Sequence, residues 1–442
     1  MEANWTAIIL LSFVTAIAFY VGRVWFKRWF NPLSLYSASW GLCLITYELR
    51  LIEYFRVSQL AWFYISLAWF SLYLGAGLMI LLRGIHRPRE TNWSETKLKL
   101  LRRSTIGLSV LAGFGVLLQL RAVTVEFGSP WKAIFEYGNS LYQMRSSGEL
   151  SWVPYLGAMP YAACCLSGVY TAKKGRPTIV GTVPLFLTVV SAVSSMARAG
   201  IVIAAVLFVT SYLSTPGRTQ LRVNRRLRRL GLILGVSILA IGAALVSLTR
   251  GLSVGFPGTT PALDELSQYV PILPSLYSNL SAPPVAFSEY LDNPRDYGAL
   301  WGRYTFAPIV RALSRLGLTP YVSYYEENYY TPVPMNTATY LKNVHSDFGA
   351  SGIFLFPFLM GAVAALLALQ ARETFSLTPV VLLAHLYVVI VFSFVTNFMQ
   401  LGYWFISALA STCAAVMIER REKRHASIIK LYRAAQTTSG GR

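Results

Sequence analysis

Long apolar stretches alternate with short, mostly basic turns along most of the chain. Each stretch is close to the ~20 residues that an α-helix needs to cross ~30 Å of hydrocarbon. The pattern predicts membrane-spanning helices at about 5–22, 33–49, 59–82, 104–122, 152–172, 178–195, 200–213, 230–249, 348–370, 378–396 and 402–419. We therefore expect an all-α polytopic membrane protein with about eleven transmembrane helices and one large, partly helical extracytoplasmic loop that caps the bundle.

Four parts follow from this pattern. Residues 1–249 form the first part of the transmembrane bundle, with about eight spans, and 250–347 form the large loop. Residues 348–419 complete the bundle with about three spans, and 420–442 are a basic cytoplasmic tail. Prolines early in the loop predict short helices and turns there.

The distribution of charge sets the expected orientation. The chain is 55% hydrophobic, has a mean hydropathy of +0.49 and carries a formal net charge of +20. Of its 39 lysines and arginines, 27 fall on one side, in alternate turns and in the C-terminal tail. The positive-inside rule makes that side cytoplasmic and places the N-terminus and the large loop outside. The basic turns are then topology signals and contacts for anionic lipid heads, not a nucleic-acid site.

The large loop is rich in aromatic residues. They are Tyr269, Tyr277, Tyr290, Tyr297, Trp301, Tyr304, Tyr321, Tyr324, Tyr325, Tyr329, Tyr330 and Tyr340. A tyrosine offers an apolar face for stacking and a hydroxyl for hydrogen bonding, a pairing suited to sugars. An aromatic belt at the water–lipid boundary explains a few of these rings but not so many. The composition favours a loop that handles a bulky polar substrate.

Two arginines stand at the outer ends of predicted spans. Arg198 lies in the turn 194–200, and Arg250 follows the span 230–249. One interpretation is that each anchors the protein to lipid phosphate. The other is that they bind a diphosphate, because a guanidinium grips phosphate oxygens in a bidentate fork and always keeps its charge.

The candidates for a general base are His345 and Asp347, where the loop re-enters the membrane. Histidine titrates near neutral pH and is the commonest acid–base residue. The alternative is that Asp347 caps the following helix and His345 is merely interfacial. His385 lies within a span and is expected to make an interhelical hydrogen bond. The outer segments show no His/Asp/Glu cluster with metal-ligand spacing, so we expect neither a metal nor another cofactor.

Two short motifs carry a resemblance to a known family. Arg198-Ala199-Gly200 forms a turn between two mid-chain spans, and Asp347-Phe348-Gly349-Ala350-Ser351-Gly352 is an acidic–x–Gly–x–x–Gly motif after the large loop. Together with the layout of spans and loop, they resemble the bacterial O-antigen polymerases. These are the Wzy-type oligosaccharide repeat-unit polymerases, which are distantly similar to O-antigen ligases.

The resemblance implies an enzyme of the bacterial inner membrane that joins undecaprenyl-diphosphate-linked oligosaccharide repeats on the periplasmic face, without metal or nucleotide sugar. It implies that Arg198 and Arg250 hold the diphosphate and that His345 or Asp347 accepts the hydroxyl proton. The expected substrate contacts are Arg145, Arg303, Tyr304, Tyr329, Tyr330 and Asn336. A flippase and a chain-length regulator are the expected protein partners, besides membrane lipids.

Three other classes remain open. An O-antigen ligase, or another polyprenyl-linked-sugar transferase, is the nearest. The ligase-like His–Asn pair does not precede the glycine motif here, since Asn336 lies about where it would fall and the histidine comes later, at His345. This departure favours the polymerase. A lipid-linked oligosaccharide flippase would show a polar central cavity and little extramembrane mass, and a scaffold protein would not need the outer arginines.

Overall fold

The computed structural model describes residues 3–84, 93–147, 154–217, 258–292, 301–320, 328–332 and 334–439. The predicted span 230–249 and Arg250 lie outside the described residues. So do four of the loop tyrosines, namely Tyr297, Tyr321, Tyr324 and Tyr325.

The described chain is built from α-helices joined mostly by short turns. In chain order they are α1 (Trp5–Phe26), α2 (Pro32–Glu48), α3 (Gln59–Arg83), α4 (Glu95–Phe127), α5 (Pro130–Phe135), α6 (Gly138–Ser147), α7 (Pro154–Gly157), α8 (Met159–Lys174), α9 (Ile179–Ser194), α10 (Arg198–Ser214), α11 (Pro261–Tyr269), α12 (Leu273–Ser281), α13 (Pro283–Asp292), α14 (Ala307–Arg315), α15 (Tyr340–Thr374), α16 (Leu377–Phe392) and α17 (Gly402–Ser439). A 3₁₀ turn, Phe398–Gln400, links α16 to α17. Two-residue strands, β1 (Tyr329–Tyr330) and β2 (Pro334–Met335), pair antiparallel.

Five of these helices, α1, α3, α4, α15 and α17, are long and apolar enough to cross a membrane by length and composition. Three more, α9, α10 and α16, are apolar but shorter. The chain is therefore an all-α protein with the helices of a membrane protein. The count of eleven spans and the orientation of the termini stay predictions.

Most helix bounds lie close to the predicted spans, with one difference that matters for the site. The span predicted from 348 belongs to a helix, α15, that begins at Tyr340. His345 and Asp347 therefore lie on this helix and not in the loop ahead of it. Hydropathy alone could not place this start, because the first residues of α15 are largely polar.

The helices α3 and α15 pack against each other at backbone contact. A Cβ on Gly75 would overlap the carbonyl oxygen of Phe358, and a Cβ on Gly361 would overlap that of Leu72. Each glycine thus makes room for the backbone of the other helix, as small residues do between membrane helices.

One end of the bundle, which we call the basic end, gathers residues from turns that the charge pattern places in the cytoplasm. Arg83 of α3 pairs with Glu373 of α15 at 3.5 Å, and Lys97 of α4 pairs with Glu422 of α17 at 3.2 Å. The start of α15 lies at the opposite end of that helix. The structure therefore separates the basic end from His345 and Asp347 by the length of a long apolar helix.

Short helices cover the end of the bundle opposite the basic end. We call residues 258–292, 301–320, 328–332 and 334–339 the cap. The Tyr277 hydroxyl donates to the Thr46 carbonyl at 2.5 Å and accepts from the Leu51 N–H at 3.0 Å. Tyr54 and Ser281 share a hydrogen bond of 3.0 Å. These bonds hold α12 against the end of α2 and the segment that leads to α3.

The prolines of the cap begin its helices. Pro261, Pro274, Pro283 and Pro308 each stand at the first or second position of α11, α12, α13 and α14. Proline fits there because its fixed φ suits the helix and the missing N–H would have had no intrahelical partner. The same residues that predict turns therefore also set where the short helices start.

The aromatic residues of the cap divide into two groups. Tyr277, Tyr290 and Tyr329 are buried, as is Tyr340 at the start of α15, and they serve packing and hydrogen bonding. Tyr269, Trp301 and Tyr330 are exposed. A sugar cannot stack on the four buried rings in this arrangement, because the protein already covers them.

His385 makes the interhelical hydrogen bond expected of it. Its Nδ1 lies 3.0 Å from the Val381 carbonyl on α16, and its Nε2 lies 3.0 Å from Ser407 Oγ on α17. Both ring nitrogens are therefore occupied, as a buried imidazole requires.

Candidate functional site

A buried network of hydrogen bonds surrounds His345 near the start of α15. The Tyr290 hydroxyl, on α13, lies 3.0 Å from His345 Nδ1, and Ser346 Oγ donates to the Tyr290 oxygen at 2.9 Å. The ring of Tyr64, on α3, lies 5.5 Å from the imidazole. Ser346 donates to the Tyr290 oxygen, and in the tautomer with the imidazole proton on Nε2 the Tyr290 hydroxyl donates to Nδ1. Nδ1 is then the accepting nitrogen of a neutral ring.

The Asp347 carboxylate is occupied by backbone donors. The Tyr304 N–H nitrogen lies 3.1 Å from each carboxylate oxygen, and the Thr305 nitrogen lies 2.5 Å from Oδ2. Asn397 Nδ2 donates to the Thr305 carbonyl at 3.2 Å. The carboxylate therefore fixes the turn 301–306 to α15 and does not cap a helix. Both candidates for a proton acceptor are therefore hydrogen-bonded, Asp347 to backbone N–H groups and His345 to the Tyr290 hydroxyl.

Lys342 joins three parts of the cap. Its Nζ lies 4.9 Å from the ring centroid of Tyr304 and 5.9 Å from those of Tyr290 and Tyr329. Ring faces attract a cation, so these contacts stabilise the ammonium among side chains from α13, the turn 301–306 and β1. Lys342 also interacts electrostatically with Asp347.

Three residues of this cluster were not among the expected site residues, namely Lys342, Tyr290 and Ser346. One signal was available, because Lys342, His345 and Ser346 are spaced i, i+3 and i+4 and so share a face of a helix. Using that signal required knowing that α15 begins at Tyr340. Tyr290 carried no such signal, since its contact with His345 joins residues far apart in sequence.

The glycine motif after Asp347 has a physical basis in the shape of α15. Gly349 has φ 64° and ψ −156°, a backbone conformation open almost only to glycine, and the helix kinks there. A Cβ on Gly352 would lie 2.7 Å from Phe348 Cβ and 2.8 Å from the Val344 carbonyl oxygen. The motif therefore combines a carboxylate that holds the turn 301–306 with two glycines that permit the kink.

Arg145 lies against the turn that precedes Arg198. The Arg145 Nη1 donates to the Ser195 carbonyl at 3.1 Å, and Met196 in the same turn has φ 54°. Arg198 is the first residue of α10. The structure thus brings two predicted substrate-binding segments together, α6 and the 194–200 turn. Arg250, which was expected to bind the diphosphate together with Arg198, lies outside the described residues.

A path of contacts connects the Arg145 region with the Asp347 region. The Tyr161 hydroxyl, on α8, lies against Gly200, just after the turn that Arg145 binds, and the Tyr161 ring lies 5.4 Å from that of Tyr403 at the start of α17. The 3₁₀ turn just before Tyr403 begins after Asn397, which binds Thr305. The two regions therefore lie at the same end of the bundle, joined through the segment that links α16 to α17.

The remaining predicted contacts fall in different places. Tyr304 and Tyr329 belong to the surroundings of Lys342, and Arg303 is half-buried in the turn 301–306. Tyr330 is exposed and its ring lies 6.0 Å from that of Phe55. Asn336 is exposed beyond β2. The structure does not bring these last two to His345.

His345 and Asp347 are 3% and 2% exposed, so the cluster around them is closed. Within the described ranges, no three His, Cys, Asp or Glu side chains are grouped so that they could hold a metal ion. No protein-family model matches the chain, and neither does any curated protein or solved structure.

Proposed function

We propose that this protein is a membrane glycosyltransferase of the Wzy-type. It polymerises undecaprenyl-diphosphate-linked oligosaccharide repeat units into a surface polysaccharide on the periplasmic face of the bacterial inner membrane, without a metal. The observation that carries the proposal is the buried hydrogen-bonded set of Tyr290, His345 and Ser346, beside Lys342, at the start of α15. That helix carries the Asp347–Gly352 motif on which the family resemblance rests.

The position of the set supports the proposed side of the membrane. It lies at the opposite end of α15 from the basic end, where Arg83 meets Glu373. Positively charged turns favour the cytoplasm. On this proposal the buried set therefore lies at the periplasmic end of the bundle, beneath the cap.

The transfer step proceeds without a covalent enzyme intermediate. An acceptor sugar hydroxyl attacks the anomeric carbon of the growing glycan, and the bond from that carbon to the diphosphate oxygen breaks. The hydroxyl proton passes to the Tyr290 oxygen while Tyr290 gives its own proton to His345 Nδ1, 3.0 Å away. The bonding electrons stay on the diphosphate oxygen, so the leaving group is undecaprenyl diphosphate. The imidazolium later returns its proton to water.

The leaving diphosphate needs positive charge, which we assign to arginines near the 194–200 turn. Arg198 begins α10 and Arg145 binds the backbone of the same turn, 3.1 Å from Ser195 O. Guanidinium groups stabilise the negative charge that develops on the diphosphate oxygen as its bond to the sugar breaks. Arg250 is proposed for the same task on the resemblance alone.

Substrate access on this proposal requires movement of the cap. His345 is 3% exposed and Tyr290 is 2% exposed, so neither can touch a sugar in the arrangement seen here. Tyr290 and Tyr329 belong to the cap and cover His345 and Lys342. Displacing that part of the cap would open the set while α15 stays in place.

The direct test uses the purified full-length protein in lipid vesicles, supplied with lipid-linked oligosaccharide extracted from the host. We expect a ladder of products that grow by one repeat unit, with release of undecaprenyl diphosphate and no loss of activity on adding a chelator. A His345→Ala variant at the same protein level should give no ladder.

Each competing class gives a different result in this experiment. A ligase would leave the repeats unjoined until a lipopolysaccharide core acceptor is added. A flippase would move the lipid-linked oligosaccharide between leaflets and form no new glycosidic bond. Either of these results would overturn the proposal.

A further inference from the structure

A second feature of the cap stands apart from the buried set, namely the helix α14 and its flanks. The segment 301–320 contains three arginines, Arg303, Arg311 and Arg315, and not one Asp or Glu. On α14 itself, Arg311 and Arg315 are spaced i and i+4 and share a face. Ile309 and Leu313 fall on the opposite side of the helix, so α14 is basic on one face and apolar on the other.

Several large apolar side chains of this segment are left exposed by the part of the chain that the structure describes. Within the fully described helix, Ala307 alone is buried. Ile309 is 41% exposed, and Leu316 and Leu318, which follow the helix, are 73% and 68% exposed. A water-exposed cap helix would turn its apolar face toward the bundle. Here large apolar groups point outward beside a basic face.

The level of α14 along the bundle is set by its neighbours. It packs against the 3₁₀ turn that links α16 to α17, and the turn before it is tied to α15 through Asp347. Arg315 Nη1 donates to the hydroxyl of Tyr155, on α7, at 3.4 Å. The helix therefore lies where apolar helices end, which is the level of the lipid headgroups around a membrane protein. Trp301, 86% exposed, is of the residue type that favours this level.

We propose that α14 lies in the plane of the membrane surface, with Leu316 and Leu318 in the acyl boundary and Arg311 and Arg315 binding phospholipid phosphate. The occupant of this face is the bilayer. Basic amphipathic helices bind at such interfaces through buried apolar area and through attraction to phosphate. The proposal does not depend on the protein being a polymerase.

The test measures immersion of α14 with the full-length protein in nanodiscs of phosphatidylethanolamine and phosphatidylglycerol. Spin labels are attached at Leu316→Cys and Leu318→Cys in a background with Cys413→Ser, since Cys413 is the exposed native cysteine among those described. Tyr269→Cys, on α11 of the same cap, is the matched control because Tyr269, at 80% exposed, is about as accessible as the two leucines.

We expect the labels at 316 and 318 to be more accessible to oxygen, which concentrates in lipid, than to a water-soluble nickel chelate. The label at 269 should show the reverse. Adding Arg311→Gln and Arg315→Gln should raise nickel accessibility at 318 at least twofold, and lysine at both positions should restore most of the immersion. Labels at 316 and 318 that behave like the label at 269 would overturn the proposal. An unchanged depth in the glutamine variant would overturn the phosphate contact.

Discussion

The Tyr290 hydroxyl lies 3.0 Å from Nδ1 of His345, although the two residues are far apart in the chain and belong to different helices. Both side chains are buried. Removing the hydroxyl alone is therefore a sharp test of its role. Tyr290→Phe keeps the ring and should reduce polymer formation ~10²-fold or more, the usual worth of positioned proton transfer. The measurement is product formation by purified protein, alongside His345→Ala.

The control for this change is Tyr54→Phe. Tyr54 is also buried at the cap end of the bundle, and its hydroxyl bonds to Ser281 and not to the His345 network. Tyr290→Phe loses the bonds to His345 and Ser346, and Tyr54→Phe loses the bond to Ser281, each worth about 1 kcal/mol. The two variants are therefore compared at equal amounts of folded protein. Equal activities in the two variants would remove Tyr290 from the proposed proton path.

A double-mutant cycle on Lys342 and Asp347 tests whether the cation holds the cap to α15. Lys342→Met keeps the apolar stem among the tyrosines, and Asp347→Asn puts an amide where backbone N–H groups need an acceptor. We expect each change to destabilise the protein and the two to couple by about 0.5–3 kcal/mol in unfolding measurements in detergent.

The exposed pair of Lys99 and Glu95, 3.1 Å apart on α4, is the control cycle. Water screens such a pair, so its coupling should be no more than about 0.5 kcal/mol. If Lys342 and Asp347 couple as weakly as this pair, the cation does not hold the turn 301–306 in place.

Substituting alanine for either glycine of the motif should destabilise the protein. Gly349→Ala forces alanine into a glycine-only conformation, at a cost of about 1–3 kcal/mol. Gly352→Ala creates an overlap with the Val344 carbonyl that α15 relieves only by shifting. Gly107→Ala is the matched control, because nothing lies within 4 Å of its added Cβ. That control should be neutral or stabilising by up to about 1 kcal/mol. The measurement is the midpoint temperature of thermal unfolding, which should fall for Gly349→Ala and Gly352→Ala but not for Gly107→Ala.

Arg198→Ala and Arg250→Ala should each abolish polymer formation at normal protein levels, and the Lys variants should recover only part of it. A lysine restores the charge but not the bidentate fork. Arg103→Ala is the control, since Arg103 is an exposed arginine near the start of α4, toward the basic end. Full-length polysaccharide in cells with either Arg198→Ala or Arg250→Ala would leave that residue as a lipid anchor only.

Topology can be tested with single cysteines in a Cys413→Ser background. Gln268, on α11 in the cap, and Thr374, at the last position of α15, are both exposed. A membrane-impermeant thiol reagent applied to cells with a permeabilised outer membrane should label Gln268→Cys and spare Thr374→Cys. The opposite pattern would invert the orientation derived from the basic turns.

The apolar helices were predictable from sequence because burial in lipid needs only length and hydropathy. The start of α15 was not. Its first turns carry Lys342, His345 and Asp347, and charged and polar residues of this kind predict a loop when hydropathy alone is considered. They tolerate burial because partners from α13 and the turn 301–306 satisfy them, and pairings between distant segments leave no local mark in the chain.

The same limit explains the role of Asp347 and of the tyrosines. The acidic–x–Gly–x–x–Gly pattern lies on α15, but it does not indicate what the Asp347 carboxylate binds, because the donors are backbone groups of residues 304 and 305. Almost every residue type carries the same backbone N–H group, so the sequence does not mark which residues bind the carboxylate. Likewise, composition counts Tyr290 and Tyr330 alike, although one is buried and the other is exposed.

The reciprocal glycine contacts of α3 and α15 have a consequence for how the protein moves. Gly75 and Gly361 each accept the backbone of the opposite helix, so sliding either helix by a fraction of a turn would drive a carbonyl into a Cα. The helices α3 and α15 therefore form a rigid pair. α15, with His345 on it, is thereby held at a constant level relative to α3. If the cap moves to admit substrate, as proposed, the movement belongs to its short helices, whose hydrogen bonds to the bundle can break one at a time.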